Sequence, residues 1–281
     1  MVKKIIGVLL FVFLVFGSSG CARQQPPPPS KSQLTPTNPT TESDQEQASQ
    51  KQSKLSSLQA AEGIPILYYH SIKLENGNEL RMPPKQFEAQ MAYLQDKGYQ
   101  SVSLEQLYQA LYKGGTLPER PIVITFDDGY VDNYTTAFPI LKKHGYTATV
   151  FMVTSYINGE GFMSWPQLKE LVANGWEIEG HTTKHPYLTK IDPSTILSEL
   201  RPPKELLEKE LGQTVNFFAY PYGDLNPNVV QKVKDAGYLM AVTTARGWAD
   251  DKADAWNLHR VYCYASMGMN EFTRRLKSSG Y

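Results

Sequence analysis

The sequence predicts an α/β fold, a distorted or shortened (β/α) barrel carried behind a disordered N-terminal tether. Three observations predict it. From about Ala61, short runs apolar on both faces alternate with amphipathic helical stretches, the pattern of parallel β/α units. Nearly every helical stretch ends in Gly, as a left-handed cap requires. The segment 61–281 is also shorter than the roughly 250 residues of a typical eight-unit barrel. A doubly wound open sheet is the alternative.

The elements follow in order. Strands are expected at IPILYY (64–69), PIVITF (121–126), ATVFMV (148–153), WEIEG (176–180), VNFFAY (215–220) and LMAVTT (239–244). Between them, Pro83-Pro84 precedes the helical pattern 87–98, and Ser103 caps 104–115. A further helix runs from Asn133 to Lys143 and stops at His144-Gly145, where His144 favours the helix dipole. Ser164 opens 165–175, and Asn226-Pro227 opens 228–237.

Two unlike segments precede the barrel. Lys3 and Lys4 are followed by an uncharged apolar run, Ile5–Phe16, of signal-peptide length and too short to span a bilayer comfortably. Gly17-Ser18-Ser19-Gly20 then leads into Cys21, which resembles the bacterial lipoprotein signal. That resemblance implies cleavage of residues 1–20, a lipid on Cys21, and an extracytoplasmic protein anchored to the bacterial cell membrane. Residues 22–60 hold six Pro among Gln, Ser and Thr and no aromatic residue, so residues 21–60 are expected to form a flexible linker. The remaining segment, 61–281, forms the predicted barrel domain.

Charge excludes other classes. With 28 Lys+Arg against 28 Asp+Glu, the chain lacks the basic excess of a nucleic-acid binder. Two cysteines cannot build a disulfide scaffold; with Cys21 lipidated, Cys263 is an unpaired strand residue. The chain is expected to be a monomer.

Four motifs fall at predicted strand ends, the functional rim of a parallel barrel. TFDDG (125–129) places two carboxylates, Asp127 and Asp128, where successive side chains point opposite ways, so they have different jobs. HTTKHP (181–186) holds two of the five His, and His181 and His185 can converge on one ion. One carboxylate with two imidazoles makes a three-ligand site with positions open for water and substrate. AYPYG (219–223) is a shaped turn whose backbone N–H groups can face an oxyanion, or a turn with packed tyrosines. His70 ends the first strand in YYHS and is either a core residue or a fourth member of the site.

Together these residues resemble the polysaccharide deacetylases, carbohydrate esterase family four, the NodB homology domain, over roughly residues 62–281. MSWPQLKEL (163–171) adds to the likeness. The resemblance implies Asp127 as general base, Asp128, His181 and His185 as metal ligands, and the Tyr222 N–H as an oxyanion donor, within the Tyr220-Pro221-Tyr222 turn. Two departures stand out. The family's Arg at the start of the third motif is missing at Phe218-Ala219-Tyr220, and no C-terminal Leu-x-His motif supplies the acid. The chain is similar to the permuted subgroup acting on poly-β-1,6-N-acetylglucosamine, whose acid lies on the first strand. This makes His70 the general acid and Arg260 the partner of Asp127. His259 is the rival acid, but neighbours on a strand face opposite ways, so only one of the two faces the site.

The expected reaction is metal-dependent N-deacetylation of an N-acetylglucosamine-containing polysaccharide, releasing acetate. Zinc is the first choice of metal, and cobalt, nickel or iron also suits two His and a carboxylate. Trp165, Tyr156, Tyr187 and Tyr222 are candidate stacking surfaces for sugar rings. The competing readings are an O-acetyl esterase, a non-catalytic glycan-binding lipoprotein, and a facial-triad oxygenase.

Overall fold

A computed structural model of the chain describes residues 49–51 and 62–281. The predicted signal peptide, Cys21 and nearly all of the predicted linker lie outside the described residues; 49–51 are helical and exposed. Among the described residues no helix is long and apolar enough to cross a membrane.

From residue 62 the chain forms a closed parallel barrel. Its strands are β1 (Ile66–Tyr69), β3 (Pro121–Asp128), β4 (Thr149–Met152), β5 (Glu177–Gly180), β6 (Phe217–Ala219), β7 (Met240–Arg246) and β8 (Leu258–Tyr262), with a two-residue β2 (Gln100–Ser101) on the start of β3. The helices are α1 (Pro84–Asp96), α2 (Leu104–Tyr112), α3 (Phe138–Lys143), α4 (Trp165–Ala173), α5 (Ile196–Leu211), α6 (Pro227–Asp235) and α7 (Met269–Arg275). β1 pairs in parallel with both β3 and β8, which closes seven strands into a ring and excludes the open sheet.

Alternation along each strand builds two cores. On β3, Ile122, Ile124 and Phe126 point outward to the shell under the helices, while Val123 points inward. Phe151, Phe217, Val242 and Leu258 join Val123 inside. Leu104, Leu107 and Leu111 of α2 belong to the same inner cluster, so this amphipathic helix packs its apolar stripe onto the barrel interior. The Ser103–Gln106 capping box starts α2, and Glu177 accepts the amides of Leu104 and Glu105 at 2.8 and 3.2 Å. Because both strand faces are buried, the strands read as continuous apolar runs.

Three details differ from expectation. The helix predicted at Asn133–Lys143 begins with a π-helical turn over Asn133–Ala137. α5 was not legible because it contains Pro202 and Pro203, which ordinarily interrupt a helix; Leu200, Pro203 and Leu207 are nonetheless its buried face. β2 and α7 are too short to show a period.

Candidate active site

All barrel strands run in one direction, so the ends of β1, β3, β5 and β6 meet on one rim. Asp127 is the last inward residue of β3 and is only 3% exposed. Arg260 on β8 is fully buried and grips it from across the ring. Arg260 Nη1 donates to Asp127 Oδ1 at 2.8 Å and Nη2 to Oδ2 at 2.7 Å, the two-pronged geometry of a strong ion pair. Nε donates to the Thr243 carbonyl at 2.9 Å, and Nη1 also reaches Thr125 Oγ1 at 3.2 Å. The guanidinium lies 4.1 Å from the Tyr68 ring centroid. His259, its neighbour, is exposed on the outer side of the strand. Burial on its own raises the Asp127 pKa. The Arg260 charge and hydrogen bonds outweigh it, with His181 and His70 adding to them, so the group is held at about 2.

Asp128 turns the other way. Its backbone is left-handed, with φ of 74°, and Gly129 follows at 86°, a conformation that glycine adopts without strain; a Cβ there would also push against the Met152 side chain. Asp128 Oδ1 is 3.5 Å from His181 Nε2 and 3.3 Å from His185 Nε2. One ligand atom from each of the three lies within 4.8 Å of the others. His181 Nδ1 is 2.7 Å from the Ala219 carbonyl. That contact assigns the ring proton to Nδ1 and leaves the Nε2 lone pair facing Asp128. Asp128 Oδ1 is buried with no hydrogen-bond partner, an arrangement that is costly unless something else occupies its lone pairs. One carboxylate and two imidazoles converging in this way fit a divalent transition metal.

The loop carrying the histidines is held from below. Thr182 Oγ1 accepts the His185 amide at 2.8 Å, and Glu199 of α5 accepts the amides of Thr183 and Lys184 at 3.1 and 2.9 Å. Among the described residues, five non-glycine residues have left-handed backbone, and four of them are Asp128, Thr182, His185 and Tyr222, so backbone strain is concentrated at this rim. Burial is the main cause that lowers the His185 pKa, to about 4; His181 adds to it, and Asp128 and Asp127 oppose it. His185 is therefore neutral, the form that can donate a lone pair.

His70 lies just past β1, half-buried, with Nδ1 enclosed and unpartnered. Burial lowers its pKa first of all, Arg260 and His181 also lower it, and Asp127 and Asp128 pull the other way. In the third motif the residues separate. Tyr222, at φ 61°, is half exposed; its ring stacks on Tyr187 at 3.8 Å and abuts His185 at 4.5 Å. Pro221 is buried in the turn. Tyr220 corrects the expectation of a substrate-facing residue: it is fully buried and its hydroxyl donates to the Trp256 carbonyl at 3.1 Å, so it offers a sugar no surface. Trp165 heads α4 and packs half-buried against the shell core, whereas Tyr187 is 40% exposed. Cys263 is a buried free thiol, pushed up to about 12 by burial.

Sequence reasoning overlooked the residues that support this rim: Thr125, Thr243, Glu199, Asp132 and Asn133. Thr125 lies inside TFDDG and Asp132-Asn133 a few residues after it in GYVDN, whereas Thr243 and Glu199 carried no local signal.

Comparison with known proteins agrees with the geometry. A family model described as polysaccharide deacetylase matches residues 114–241, which takes in TFDDG, HTTKHP and YPYG but neither His70 nor Arg260. The protein YxkH of Bacillus subtilis, which is named for polysaccharide deacetylation, is 37% identical over 215 residues, 76% of each chain. The poly-β-1,6-N-acetyl-D-glucosamine N-deacetylase of Staphylococcus aureus is 32% identical over 187 residues, 61% of this chain and 63% of that enzyme. The Streptococcus pyogenes deacetylase PplD, solved with acetate, superposes with a TM-score of 0.73 at 30% identity, over 76% of this chain and 98% of that one. Identity of this order, sustained over three quarters of the chain and joined to a shared barrel, makes this chain a member of the polysaccharide deacetylase family.

Proposed function

We propose that the protein hydrolyses the N-acetyl groups of N-acetylglucosamine units in a cell-surface or cell-wall polysaccharide, with Asp128, His181 and His185 holding a divalent metal, zinc first. The observation that carries the reading is the pairing of a buried, ionised Asp127 with a converging Asp/His/His donor set on the same rim. Similarity to the S. aureus enzyme supports poly-N-acetylglucosamine as the polymer. When bound, such a metal lowers the pKa of water and polarises the acetyl carbonyl. Asp127 takes one proton from the attacking water, and Arg260 keeps its carboxylate ionised and aimed. The Tyr222 N–H, in the left-handed turn of the third motif, donates to the developing oxyanion. His70 gives one proton to the departing sugar nitrogen as the carbon–nitrogen bond breaks. Each turnover thus moves one proton net from His70 to Asp127's side, and solvent restores both.

Acetate release from poly-N-acetylglucosamine, peptidoglycan and chitin oligomers, with and without chelator, tests the proposal. We expect release to be largest on poly-N-acetylglucosamine, to vanish with chelator and to return with zinc or cobalt. Release that ignores the chelator rejects the metal, and no release from any polymer rejects the enzyme in favour of a glycan-binding protein.

Cys21 and the linker after it support a lipid-anchored, extracytoplasmic setting in which the domain reaches its polymer from the membrane. In the native host, Cys21→Ala is expected to move the protein out of the membrane fraction. Unchanged membrane association would remove the anchor from this account.

A further inference from the structure

β1 pairs with β3 only as far as Tyr69 opposite Phe126, and with β8 as far as Tyr68 opposite Tyr262. His70 therefore sits beyond the last pair of the barrel ladder; the next residue, Ser71, makes only an isolated bridge to Arg81, its amide donating to the Leu80 carbonyl at 3.1 Å and its carbonyl accepting the Met82 amide at 2.9 Å. The loop after Asp128 supplies what the ladder does not. Asp132 is buried, and its two oxygens accept from consecutive residues: Oδ2 from Ser71 Oγ at 2.6 Å and Oδ1 from the Ile72 amide at 2.7 Å. Asn133, fully buried at the start of the π-helical turn, donates Nδ2 to the His70 carbonyl at 2.7 Å. Three hydrogen bonds from two adjacent residues thus hold residues 70–72. Arg81 Nη1 lies 3.8 Å from Asp132 Oδ2, too far for a hydrogen bond.

We propose that Asp132, together with Asn133, is a positioning residue: it ties His70 to the loop that directly follows Asp127 and Asp128 at the end of β3, and so sets the distance between the acid and the attacked carbon. The inference rests on the reading of His70 as the acid. An acid must stand within hydrogen-bond reach of the leaving nitrogen at the moment the bond breaks, and displacement by about 1 Å can cost about a hundredfold in rate. Neither Asp132 nor Asn133 belongs to the metal or base machinery, so the effect of altering them should be confined to the step that needs a proton.

Leaving-group dependence tests this. An N-acetylglucosamine oligomer has a poor leaving group that needs protonation, whereas 4-nitrophenyl acetate releases a phenolate that does not. For Asp132→Ala in the full chain we expect kcat on the oligomer to fall about tenfold or more, with KM changed less than about twofold. Metal content and turnover of 4-nitrophenyl acetate should stay near wild type, and Asp132→Asn, which can still accept the Ile72 amide, should recover part of the loss. Equal losses on both substrates, or no loss on the oligomer, would overturn the proposal. His70→Ala is the control: if it too fails to distinguish the substrates, the assignment of the acid falls along with the positioning role. If His70→Ala distinguishes them and Asp132→Ala does not, only the positioning role falls. Should Asp132→Ala not fold, Ser71→Ala removes one donor and leaves the carboxylate; it must show the same selectivity to a smaller degree, and its failure to do so overturns the proposal equally.

Discussion

Asp127→Asn is expected to lower kcat for acetate release by about a thousandfold while the protein keeps its fold and the metal proposed for Asp128, His181 and His185. The loss follows from chemistry, since an amide cannot take the proton that the carboxylate accepts. Metal content is spared because Asp127 faces the barrel interior and lies outside the Asp128–His181–His185 cluster. Arg260 stays in place because its Nε still donates to the Thr243 carbonyl. The substituted amide can satisfy one prong of the guanidinium but opposes the other N–H with its own. An unfolding free energy lower by about 1–3 kcal/mol is therefore expected beside the kinetic loss. Steady-state kinetics with metal analysis of the same sample checks this. A variant that retains its metal and a tenth of wild-type activity would remove Asp127 from the base role.

Arg260→Leu should have the largest effect on stability, about 3–5 kcal/mol at neutral pH, because it leaves a buried carboxylate without its counter-charge. The pH dependence gives the sharper test. In the wild type Asp127 titrates at about 2 rather than 3.8. Its folded pKa is depressed, so it contributes stability above pH 4 that is lost as pH falls through 2, about 2 kcal/mol in all. Without Arg260 the largest remaining influence is burial, which raises the pKa above its ordinary value. The sign then reverses: the contribution is present in acid and is lost as pH rises through the new value. Urea unfolding at pH 4 and pH 7 should show the variant less impaired at the lower pH. A variant with the wild-type pH slope would contradict this account of the pair. Activity should fall as well, and its acid limb should move to higher pH, because the base is then protonated where the wild type is ionised.

Much of the site was legible because its donors sit in short motifs at strand ends. TFDDG, HTTKHP and YPYG each combine a strand, a turn and the reactive groups within a few residues, and parallel strands bring such ends to one rim. Strand alternation narrowed the choice between His259 and Arg260 to one inward residue, and β8 turns Arg260 inward. The residues that were missed act at long range or against local preference. Thr243 bonds to Arg260 across the strand pair, and Glu199 holds the histidine loop from a helix whose prolines hide it. Tyr220 was misjudged because a motif cannot say which of its two tyrosines the turn exposes; the left-handed backbone at Tyr222 decides that.

By itself, then, the sequence determined the barrel class, the rim on which chemistry is possible, and the carboxylates and imidazoles that the candidate site brings together. Periodicity and motif spacing are local properties, encoded within one strand or one turn. Only the tertiary structure decided that Arg260 meets Asp127, that Tyr220 is enclosed, and that Asp132 and Asn133 hold the residues around His70. Those pairings join positions as much as 133 residues apart. They exist because closing seven strands into a ring fixes one register among them, and no window of sequence contains that register.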